Sequence, residues 1–271
     1  MTASLPDLRV ALVQAATIWR DAAANRRLYG ELVLGLANAA DLILLPETFT
    51  SGFGQEAIAD AEGMDGPSVA WFRELAAKAN AVVTGSMVIA EGGKVFNRLL
   101  WATPEGGLQW YDKRHLFRMA NEHLRYGEGA ERKVFELKGW RVLPQVCYDL
   151  RFPVFARNRW SGEPARADYD LAIYVANWPS PRREAWRTLL RARAMENLAY
   201  VIGVNRVGVD GNDWRYSGDS AVIDPVGTPM IELGAQSQTA VVTITAQALA
   251  EQRGKFPAWM DADDFSLDLR G

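Results

Sequence analysis

The sequence has very few of the side chains that cross-link a chain or bind a metal. It contains one cysteine, Cys147, and only two histidines, His115 and His123, among 271 residues. A single cysteine cannot form an intramolecular disulfide, so nothing in the sequence indicates an oxidising compartment. Zinc sites use spacings such as His-Glu-x-x-His or paired cysteines, and the sequence has neither. We therefore expect no metal and no cofactor.

An excess of positive charge and a long apolar run are also lacking. The formal net charge is -3, which gives no electrostatic case for binding nucleic acid or an anionic membrane. No uncharged apolar run approaches the roughly 20 residues that cross a bilayer. The N-terminal segment MTASLPDLRVALVQ lacks the basic start and longer apolar run of a signal peptide. The sequence predicts a cytoplasmic protein with neither nucleic-acid nor membrane partners.

Short apolar runs alternate with helical patterns along the chain. Apolar residues make up 49% and charged residues 23%, a composition that allows a large buried core. Strands are predicted at Arg9–Gln14, Leu42–Leu45, Ala81–Ala90, Val95–Ala102, Leu108–Tyr111, Trp140–Val146, Tyr169–Ala176, Tyr200–Val209, Ser220–Ile223 and Thr239–Ile244. Helices are predicted around Leu28, Leu32 and Leu36, from Pro67 to Ala79, and at Phe152–Trp160 and Arg182–Leu198, with a small polar insertion at Ser161–Ala167. This alternation predicts one α/β domain over residues 1–271.

Three polar residues lie where predicted strands end. Glu47 follows the second predicted strand, Lys113 follows the fifth and Cys147 follows the sixth. The carboxyl ends of strands form the edge at which open α/β sheets gather ligands and catalytic groups. A carboxylate, an ammonium and a thiol at one edge are suited to acyl transfer. The sequence therefore predicts that Glu47, Lys113 and Cys147 form a catalytic site.

The chemistry of acyl transfer explains why these side chains are needed together. A free thiol has a pKa near about 8.5, so only a few per cent of it is thiolate at neutral pH. A nearby Lys113 ammonium would favour the thiolate of Cys147, and Glu47 could accept the thiol proton. Because Cys147 precedes a predicted helix, the backbone amide of Tyr148 could donate to a developing oxyanion, with Lys113 as a second donor.

Three segments resemble the catalytic segments of the nitrilase superfamily. They are LLPETFTSGF (44–53), YDKRHLFRMANEH (111–123) and QVCYDLRFP (145–153). The similarity continues through YVANWPSPR (174–182), RARAMENLAYVIGVNRVG (191–208), GDSAVIDPVG (218–227) and KFPAWMDADDF (255–265), so it covers nearly the whole chain. The three segments in this order are specific, although any one alone would be weak. The resemblance implies an αββα sandwich, a Glu47–Lys113–Cys147 triad and self-association into a homodimer or a higher homo-oligomer.

Within this superfamily the chain most resembles the omega-amidase branch, which deaminates monoamides of 2-oxo dicarboxylic acids such as 2-oxoglutaramate. The resemblance implies a small amide substrate and a supporting role for Glu122, a second glutamate that positions Lys113 or the substrate. It also implies that the loop carrying Trp178 lies at the pocket, where Trp178 could contact the substrate or could equally belong to the core. Pro144 departs from the family pattern, in which a small residue is commoner. A proline within a strand predicts an edge position or a bulge there.

Other interpretations of the same residues stay open at this point. The same triad could hydrolyse a nitrile, an N-carbamoyl amine or a simple aliphatic amide. A non-catalytic sensor or binding module could instead keep Cys147 as a reactive thiol. A papain-like mechanism would pair the thiol with His115 or His123, although we interpret His115 as support for the loop that carries Lys113.

Charged residues near the predicted site also allow more than one role. We interpret Asp149 and Arg151 as an ion pair that fixes the turn after the cysteine. Arg183, Arg187 and Arg191 recur on one helical face, which we interpret as a solvated or subunit-facing surface rather than a nucleic-acid stripe. A distal carboxylate on the substrate would need a cation, and the sequence does not rank its candidates, which are Arg118, Arg182 and Arg183.

Overall fold

Two six-stranded sheets form the centre of the protein, whose computed structural model describes residues 5–162 and 165–269. The strands are β1 (Leu8–Gln14), β2 (Leu42–Leu44), β3 (Val82–Glu91), β4 (Lys94–Ala102), β5 (Leu108–Asp112), β6 (Phe135–Leu137), β7 (Trp140–Val146), β8 (Trp160–Ser161), β9 (Arg166–Ala167), β10 (Leu171–Ala176), β11 (Tyr200–Asn205), β12 (Val207–Val209), β13 (Arg215–Ser217), β14 (Ala221–Ile223), β15 (Pro229–Glu232) and β16 (Gln238–Ile244). The α-helices are α1 (Ala22–Leu34), α2 (Pro67–Ala79), α3 (Pro153–Ala156), α4 (Arg183–Asn197) and α5 (Ala246–Lys255).

Each sheet has parallel strands at its centre. The first sheet has the order β16-β1-β2-β3-β4-β5, and the second has the order β15-β14-β11-β10-β7-β6. Strands β1, β2 and β3 are parallel, as are β7, β10 and β11. Because β4 is antiparallel to both β3 and β5, β5 runs in the same direction as β3. The carboxyl ends of β2, β5, β7 and β10 can therefore carry one site.

The two faces of each sheet are buried in different cores. On β1, Leu8, Val10 and Leu12 pack against the second sheet, whereas Ala11 and Val13 pack beneath α1 and α2. This alternation follows from the two-residue period of a strand. Strand β10 alternates in the same way between the central core and α4. The layers therefore form the αββα sandwich that the sequence predicts. Each fully buried Leu or Val side chain in these cores contributes about 1.5–3 kcal/mol to the free energy of folding.

The covering helices begin and end at recognisable residues. The Asp21 side chain accepts a hydrogen bond from the amide of Ala24 and caps α1. Pro67 opens α2, which ends at Asn80 in a left-handed conformation with φ of 52°. The helix predicted at Arg182–Leu198 is confirmed as α4, which ends before Leu198.

The helix predicted at Phe152–Trp160 is wrong in extent. A 3-10 turn spans Cys147–Arg151, α3 covers only Pro153–Ala156, and the chain is extended by Trp160. The buried Asn158 gives the physical reason. Its amide donates to Asn197 Oδ1 at 2.8 Å, and its side chain bonds the backbone of Tyr169. These tertiary hydrogen bonds replace the ones that a longer helix would make.

The strand predicted at Tyr200–Val209 is interrupted. Strand β11 ends at Asn205 and β12 begins at Val207. The Asn205 Oδ1 atom accepts hydrogen bonds from the amides of Arg206 and Trp178, at 2.9 Å and 2.8 Å. Because the Asn205 side chain accepts hydrogen bonds from these two backbone amides, they need no partner in a neighbouring strand, and β11 ends there.

Pro144 lies where β7 has a partner on one side only. It pairs with Ile173 of β10, whereas β6 pairs with β7 only from Trp140 to Val142. Strand β7 is not the edge strand of its sheet, but beyond Val142 it is a local edge. The predicted edge position is confirmed in this local sense, and a missing N–H is tolerated at such a position.

Several short elements are not predicted by the sequence. They are β6, β13, β15 and the helix α5. The predicted insertion at Ser161–Ala167 includes residues 163 and 164, which lie outside the described residues, and its flanks form the β8–β9 pair. Among the described residues, no helix combines the length and the apolar character needed to cross a bilayer.

The amino ends of β7 and β10 are joined by a buried carboxylate. The two oxygens of Asp170 accept hydrogen bonds from the amide and guanidinium of Arg141 and from Arg253 of α5, at 2.7 to 3.2 Å. Burial alone would raise the pKa of Asp170, but the hydrogen bonds and charges of Arg141 and Arg253 outweigh it and hold the pKa below its usual range. This ion cluster stabilises the sheet edge opposite the three strand ends.

We expect Asp170→Asn to lower the free energy of unfolding by about 3–5 kcal/mol, because it leaves two arginines without their carboxylate. A depressed folded-state pKa stabilises the protein above the unfolded value of about 4, and this stabilisation is lost as pH falls through the folded-state pKa. Urea unfolding should therefore show a larger difference from wild type near about pH 7 than near about pH 3. Asp213→Asn, at an exposed turn, is the matched control. An equal difference at both pH values would contradict this account.

Candidate active site

The three predicted strand-end residues meet at the carboxyl edges of the two sheets. Glu47 lies three residues after β2, Lys113 directly follows β5 and Cys147 directly follows β7. Lys113 Nζ lies 2.9 Å from Glu47 Oε1. All three side chains line one cavity of about 430 Å³. The structure therefore brings together residues that are 66 and 34 positions apart in the sequence.

Lys113 lies between two buried carboxylates. Its Nζ atom donates to Glu47 Oε1 at 2.9 Å and to both oxygens of Glu122 at 3.0 Å. It also lies 5.2 Å from the centre of the Phe53 ring, where the ring face attracts a cation. Burial alone would lower the pKa of Lys113, but the charges of Glu122 and Glu47 outweigh it and raise the pKa well above its usual value. Lys113 is therefore an ammonium with a fixed position.

Glu47 is held by hydrogen bonds from three different elements. Its Oε1 accepts from Asn97 of β4 at 2.8 Å and from Lys113, and its Oε2 accepts from the amide of Asn177 at 2.7 Å. The side chain of Asn177 also donates to the Glu47 carbonyl and to Thr48 Oγ1. Thr48 has φ of 40°, a strained conformation for a β-branched residue. These contacts fix the direction of the carboxylate.

Cys147 lies on a strained turn between a strand and a 3-10 helix. Its φ is 44°, which is uncommon for a residue other than glycine. The turn places its Sγ atom 3.9 Å from the Asn177 carbonyl oxygen and gives the side chain access to the cavity. Tyr148 lies in the first turn of this helix, where backbone amides have no partner within the helix. Its amide is thus available to a ligand at this end.

Asp149 joins the cysteine turn to the loop that carries Lys113. Its carboxylate accepts hydrogen bonds from the amide of Val146, the hydroxyl of Tyr111, and both the amide and Nδ1 of His115, all at 2.8 to 2.9 Å. The His115 ring also stacks on Phe152 at 3.7 Å. The predicted supporting role of His115 therefore has a clear structural basis. The predicted ion pair between Asp149 and Arg151 is wrong, because Arg151 lies over the Trp178 ring instead.

Two further predicted positions also lie at the cavity. Glu122 contacts Lys113 and accepts the amide of Phe117 at 2.6 Å. Burial raises the pKa of Glu122, although the charge of Lys113 opposes that change. Trp178 lines the cavity but is only 3% exposed. Its indole donates to the Arg182 carbonyl and its ring packs against Trp186, so most of the side chain belongs to the core.

The thiol of Cys147 is neutral in this arrangement. Burial and the negative charge of Glu47 raise its pKa well above the usual value, and the charge of Lys113 only partly opposes them. The charge of Lys113 favours the thiolate, as the sequence predicts, but its effect on the thiol pKa is smaller than those of burial and Glu47. The cluster already holds two carboxylates and one ammonium, so a thiolate would add a second uncompensated negative charge. Attack by the sulfur therefore requires removal of its proton.

Asn97 and Asn177 are site residues that the sequence does not predict. Asn97 lies within β4 and its side chain is almost fully buried, an unusual place for an amide. Asn177 directly follows β10, at the same kind of position as Glu47 and Cys147. A polar residue at the end of a fourth parallel strand was the signal that could have indicated it.

The remaining charged candidates fall in different places. Arg182 lines the cavity, whereas Arg118 and Arg183 do not. Arg183 pairs with Asp219, and its neighbours on the α4 face pair with Glu232. In the described part of the chain, neither histidine hydrogen-bonds Cys147, and no group of three or more His, Cys, Asp or Glu side chains is arranged to hold a metal.

The fold and the site define a carbon–nitrogen hydrolase, a class of the nitrilase superfamily. The family model for carbon–nitrogen hydrolases matches residues 9–253, and the chain belongs to this family. It is therefore a hydrolase that acts on carbon–nitrogen bonds. It is similar to the omega-amidase YafV of Escherichia coli K12, with 48% identity over 265 residues that cover 97% of this chain and 100% of that protein.

Two further relatives extend the comparison. The 2-oxoglutaramate amidase of Bacillus subtilis 168 is 33% identical over 235 residues, which cover 85% of this chain and 86% of that protein. The crystal structure of XC1258 from Xanthomonas campestris, a CN-hydrolase superfamily protein with an arsenic adduct in its active site, shares 60% identity and a TM-score of 0.95. That match covers 97% of this chain and 99% of the other. The predicted nitrilase fold and omega-amidase resemblance are confirmed.

The raised thiol pKa predicts how Cys147 reacts with iodoacetamide. We expect the alkylation rate of the wild type to have its midpoint above the ordinary thiol value of about 8.5. Glu47→Gln should move this midpoint to lower pH, because it removes a negative charge that disfavours the thiolate. Intact mass identifies the alkylated residue, since the chain has one cysteine. Glu74→Gln, at an exposed carboxylate of α2, should leave the midpoint unchanged, and a wild-type midpoint below the ordinary value would refute a neutral resting thiol.

Proposed function

We propose that this protein hydrolyses the terminal amide of a 2-oxo dicarboxylic acid monoamide, such as 2-oxoglutaramate, to the dicarboxylate and ammonia. The observation that carries the proposal is the meeting of Glu47, Lys113 and Cys147 in one cavity, with Glu47 and Lys113 in contact at 2.9 Å. The names of two relatives, an omega-amidase at 48% identity and a 2-oxoglutaramate amidase at 33%, support the choice of substrate.

The first half-reaction transfers the acyl group to sulfur. Glu47 takes the proton of the Cys147 thiol as Sγ bonds to the amide carbon, and the carbonyl becomes an oxyanion. The Lys113 ammonium and the Tyr148 amide donate hydrogen bonds to this oxygen. When the oxyanion collapses, the carbon–nitrogen bond breaks and Glu47 returns the proton to the nitrogen. Ammonia leaves and an acyl-thioester remains on Cys147.

The second half-reaction uses the same groups on water. Glu47 takes a proton from a water molecule, and the water oxygen bonds to the thioester carbon. Lys113 and the Tyr148 amide again stabilise the oxyanion. Collapse breaks the carbon–sulfur bond, and the sulfur regains a proton from Glu47 as the acid leaves. Each step balances with the substrate, one water and the side chains of this chain.

Lys113 and Glu122 have different roles in this scheme. Lys113 contacts the reacting oxygen, so it is a catalytic residue. Glu122 acts through Lys113, because its two oxygens both lie 3.0 Å from Nζ and can share one of the three N–H groups of the ammonium. This leaves an N–H for the oxyanion, and Glu122 is a positioning residue. A cavity of about 430 Å³ suits a small substrate. The expected cytoplasmic location and self-association of the chain stay predictions.

Ammonia release across a panel of amides tests the proposed function. We expect the highest kcat/KM with 2-oxoglutaramate, and lower values with glutamine, asparagine, a simple aliphatic amide, an N-carbamoyl amine and a nitrile. Rapid acid quenching followed by intact-mass analysis should reveal a thioester at the single cysteine, with the mass of the substrate less ammonia. Cys147→Ala should release no ammonia. A clear preference for a nitrile or an N-carbamoyl amine would replace the proposed substrate, and turnover by Cys147→Ala would remove the thioester.

Glu47→Gln should lower kcat by about 10²- to 10⁴-fold, the usual contribution of a general base. Glutamine keeps the shape of the side chain, but its one amide oxygen can accept either from Asn97 and Lys113 or from the amide of Asn177, which donate to different oxygens of Glu47. Folding is therefore measured together with activity. The measurement is ammonia release together with a count of free thiols and a thermal unfolding midpoint. Glu74→Gln is again the control. Substantial turnover by folded Glu47→Gln with an intact thiol would show that another group takes the proton.

A further inference from the structure

The mouth of the cavity carries an unusual concentration of positive charge for an acidic chain. Within the described residues, three arginines line the cavity, namely Arg125, Arg151 and Arg182, although the chain has a net charge of -3. None of the three has a carboxylate within 4.0 Å in residues 5–162 and 165–269. Unpaired guanidinium groups around a cavity attract an anionic ligand and raise its rate of association.

The acidic side chains at the mouth do not neutralise these arginines. Asp210 also lines the cavity, but its oxygens accept the hydroxyl of Tyr216 at 2.7 Å and the amides of Asn212 and Trp214. Glu56 is exposed at the rim. Among the described residues, the mouth therefore has three arginines that form no ion pair, and one exposed carboxylate, Glu56.

Arg182 differs from the other two arginines because its guanidinium is held in place. It lies 5.5 Å from the centre of the Phe117 ring and 5.9 Å from that of Trp214. Its only polar side-chain partner among the described residues is the thioether of Met119, at 3.5 Å. A thioether is a weak acceptor, so the donors of Arg182 are left for a ligand. Arg125 and Arg151 are exposed, whereas Arg182 is half-buried.

The loop that carries Arg182 is also connected to the reacting groups. Asn177 begins this loop and holds Glu47 through its amide at 2.7 Å. Trp178 follows, and its indole donates to the Arg182 carbonyl at 2.8 Å. A 3-10 turn at Ser180–Arg182 completes the segment. The guanidinium and the Glu47 carboxylate are therefore positioned by one hydrogen-bonded segment, which is how a site can fix the two ends of a small substrate.

We propose that Arg182 binds the distal carboxylate of the substrate and thereby makes the enzyme selective for anionic amides. The inference rests on the proposed function, since it assigns the far end of the same substrate. A planar guanidinium binds a carboxylate through two parallel hydrogen bonds. The scissile amide then lies at Cys147 and the carboxylate lies at the mouth. Because the neighbouring Arg125 and Arg151 repel cations, the mouth disfavours amides with an ammonium beside the carboxylate, such as glutamine.

Arg182→Gln should lower kcat/KM for 2-oxoglutaramate by roughly 10- to 100-fold, the effect of losing a hydrogen-bonded charge. The loss should fall mainly on KM, because the carboxylate contact is the same in the ground state and in the transition state. With pentanamide, a neutral amide of the same chain length, the variant should stay within about twofold of wild type. Arg182→Lys keeps the charge without the planar fork and should give an intermediate KM.

Three arginine variants serve as comparisons in the same assay. Arg118 is exposed, next to Phe117 and outside the cavity, so Arg118→Gln should leave both substrates unchanged. Arg125→Gln and Arg151→Gln should each cause a smaller loss with 2-oxoglutaramate, because an exposed charge is screened by solvent. Added salt should lower the wild-type kcat/KM for 2-oxoglutaramate but not for pentanamide.

Several results would overturn this assignment. An equal loss with both substrates would show that Arg182→Gln disturbs the site in general. A selective loss in Arg151→Gln or Arg125→Gln, with Arg182→Gln unaffected, would move the anchor to another arginine. A wild type that hydrolyses both amides equally well would exclude a carboxylate anchor but leave the amidase intact. A wild type that hydrolyses neither would refute the proposed function itself.

Discussion

The structure of the site depends on one buried ammonium between two buried carboxylates. Lys113 is 1% exposed and donates to Glu47 and Glu122 at 2.9 to 3.0 Å. Removing these charges from water costs several kcal/mol for each ion, so the cluster is stable only while every partner is present. For this reason the surrounding contacts are directional hydrogen bonds rather than apolar packing alone. The bonds from Asn97 and Asn177 to Glu47 give the carboxylate a single orientation.

The amino ends and the carboxyl ends of the central strands differ in structure: an ion cluster lies at the former and the cavity at the latter. At the amino ends of β7 and β10, Asp170 and its arginines form an ion cluster whose members do not line the cavity. At the carboxyl ends, the strained turns at Thr48 and Cys147 expose polar groups to a cavity. Strain of this kind costs about 1–3 kcal/mol for each residue and persists only where the surroundings impose it. Asp149, with four hydrogen bonds to two segments, supplies that constraint for the cysteine turn.

The sequence predicts the elements that local patterns determine, and it misses those that depend on distant partners. Buried strands with clear ends placed Glu47, Lys113 and Cys147 at one edge, because an apolar run and its terminating residue are adjacent in the chain. The helix predicted at Phe152–Trp160 failed because Asn158 bonds to Asn197 and Tyr169. The pairing of Asp149 with His115 rather than with Arg151 was also missed, because it depends on where the loop after β5 lies relative to the turn after β7. Hydrogen bonds across 34 residues leave no periodic signal in a single sequence.

The neutral thiol distinguishes this site from one built for redox sensing. A sensor cysteine reacts with oxidants because its pKa is low and its thiolate is accessible. Here burial and the charge of Glu47 raise the thiol pKa, which disfavours the thiolate at neutral pH. A carboxylate beside the thiol would hinder a sensor, since it disfavours the thiolate. The proposed mechanism needs the same carboxylate, because in that scheme water loses a proton in the second half-reaction at the position where sulfur lost one in the first.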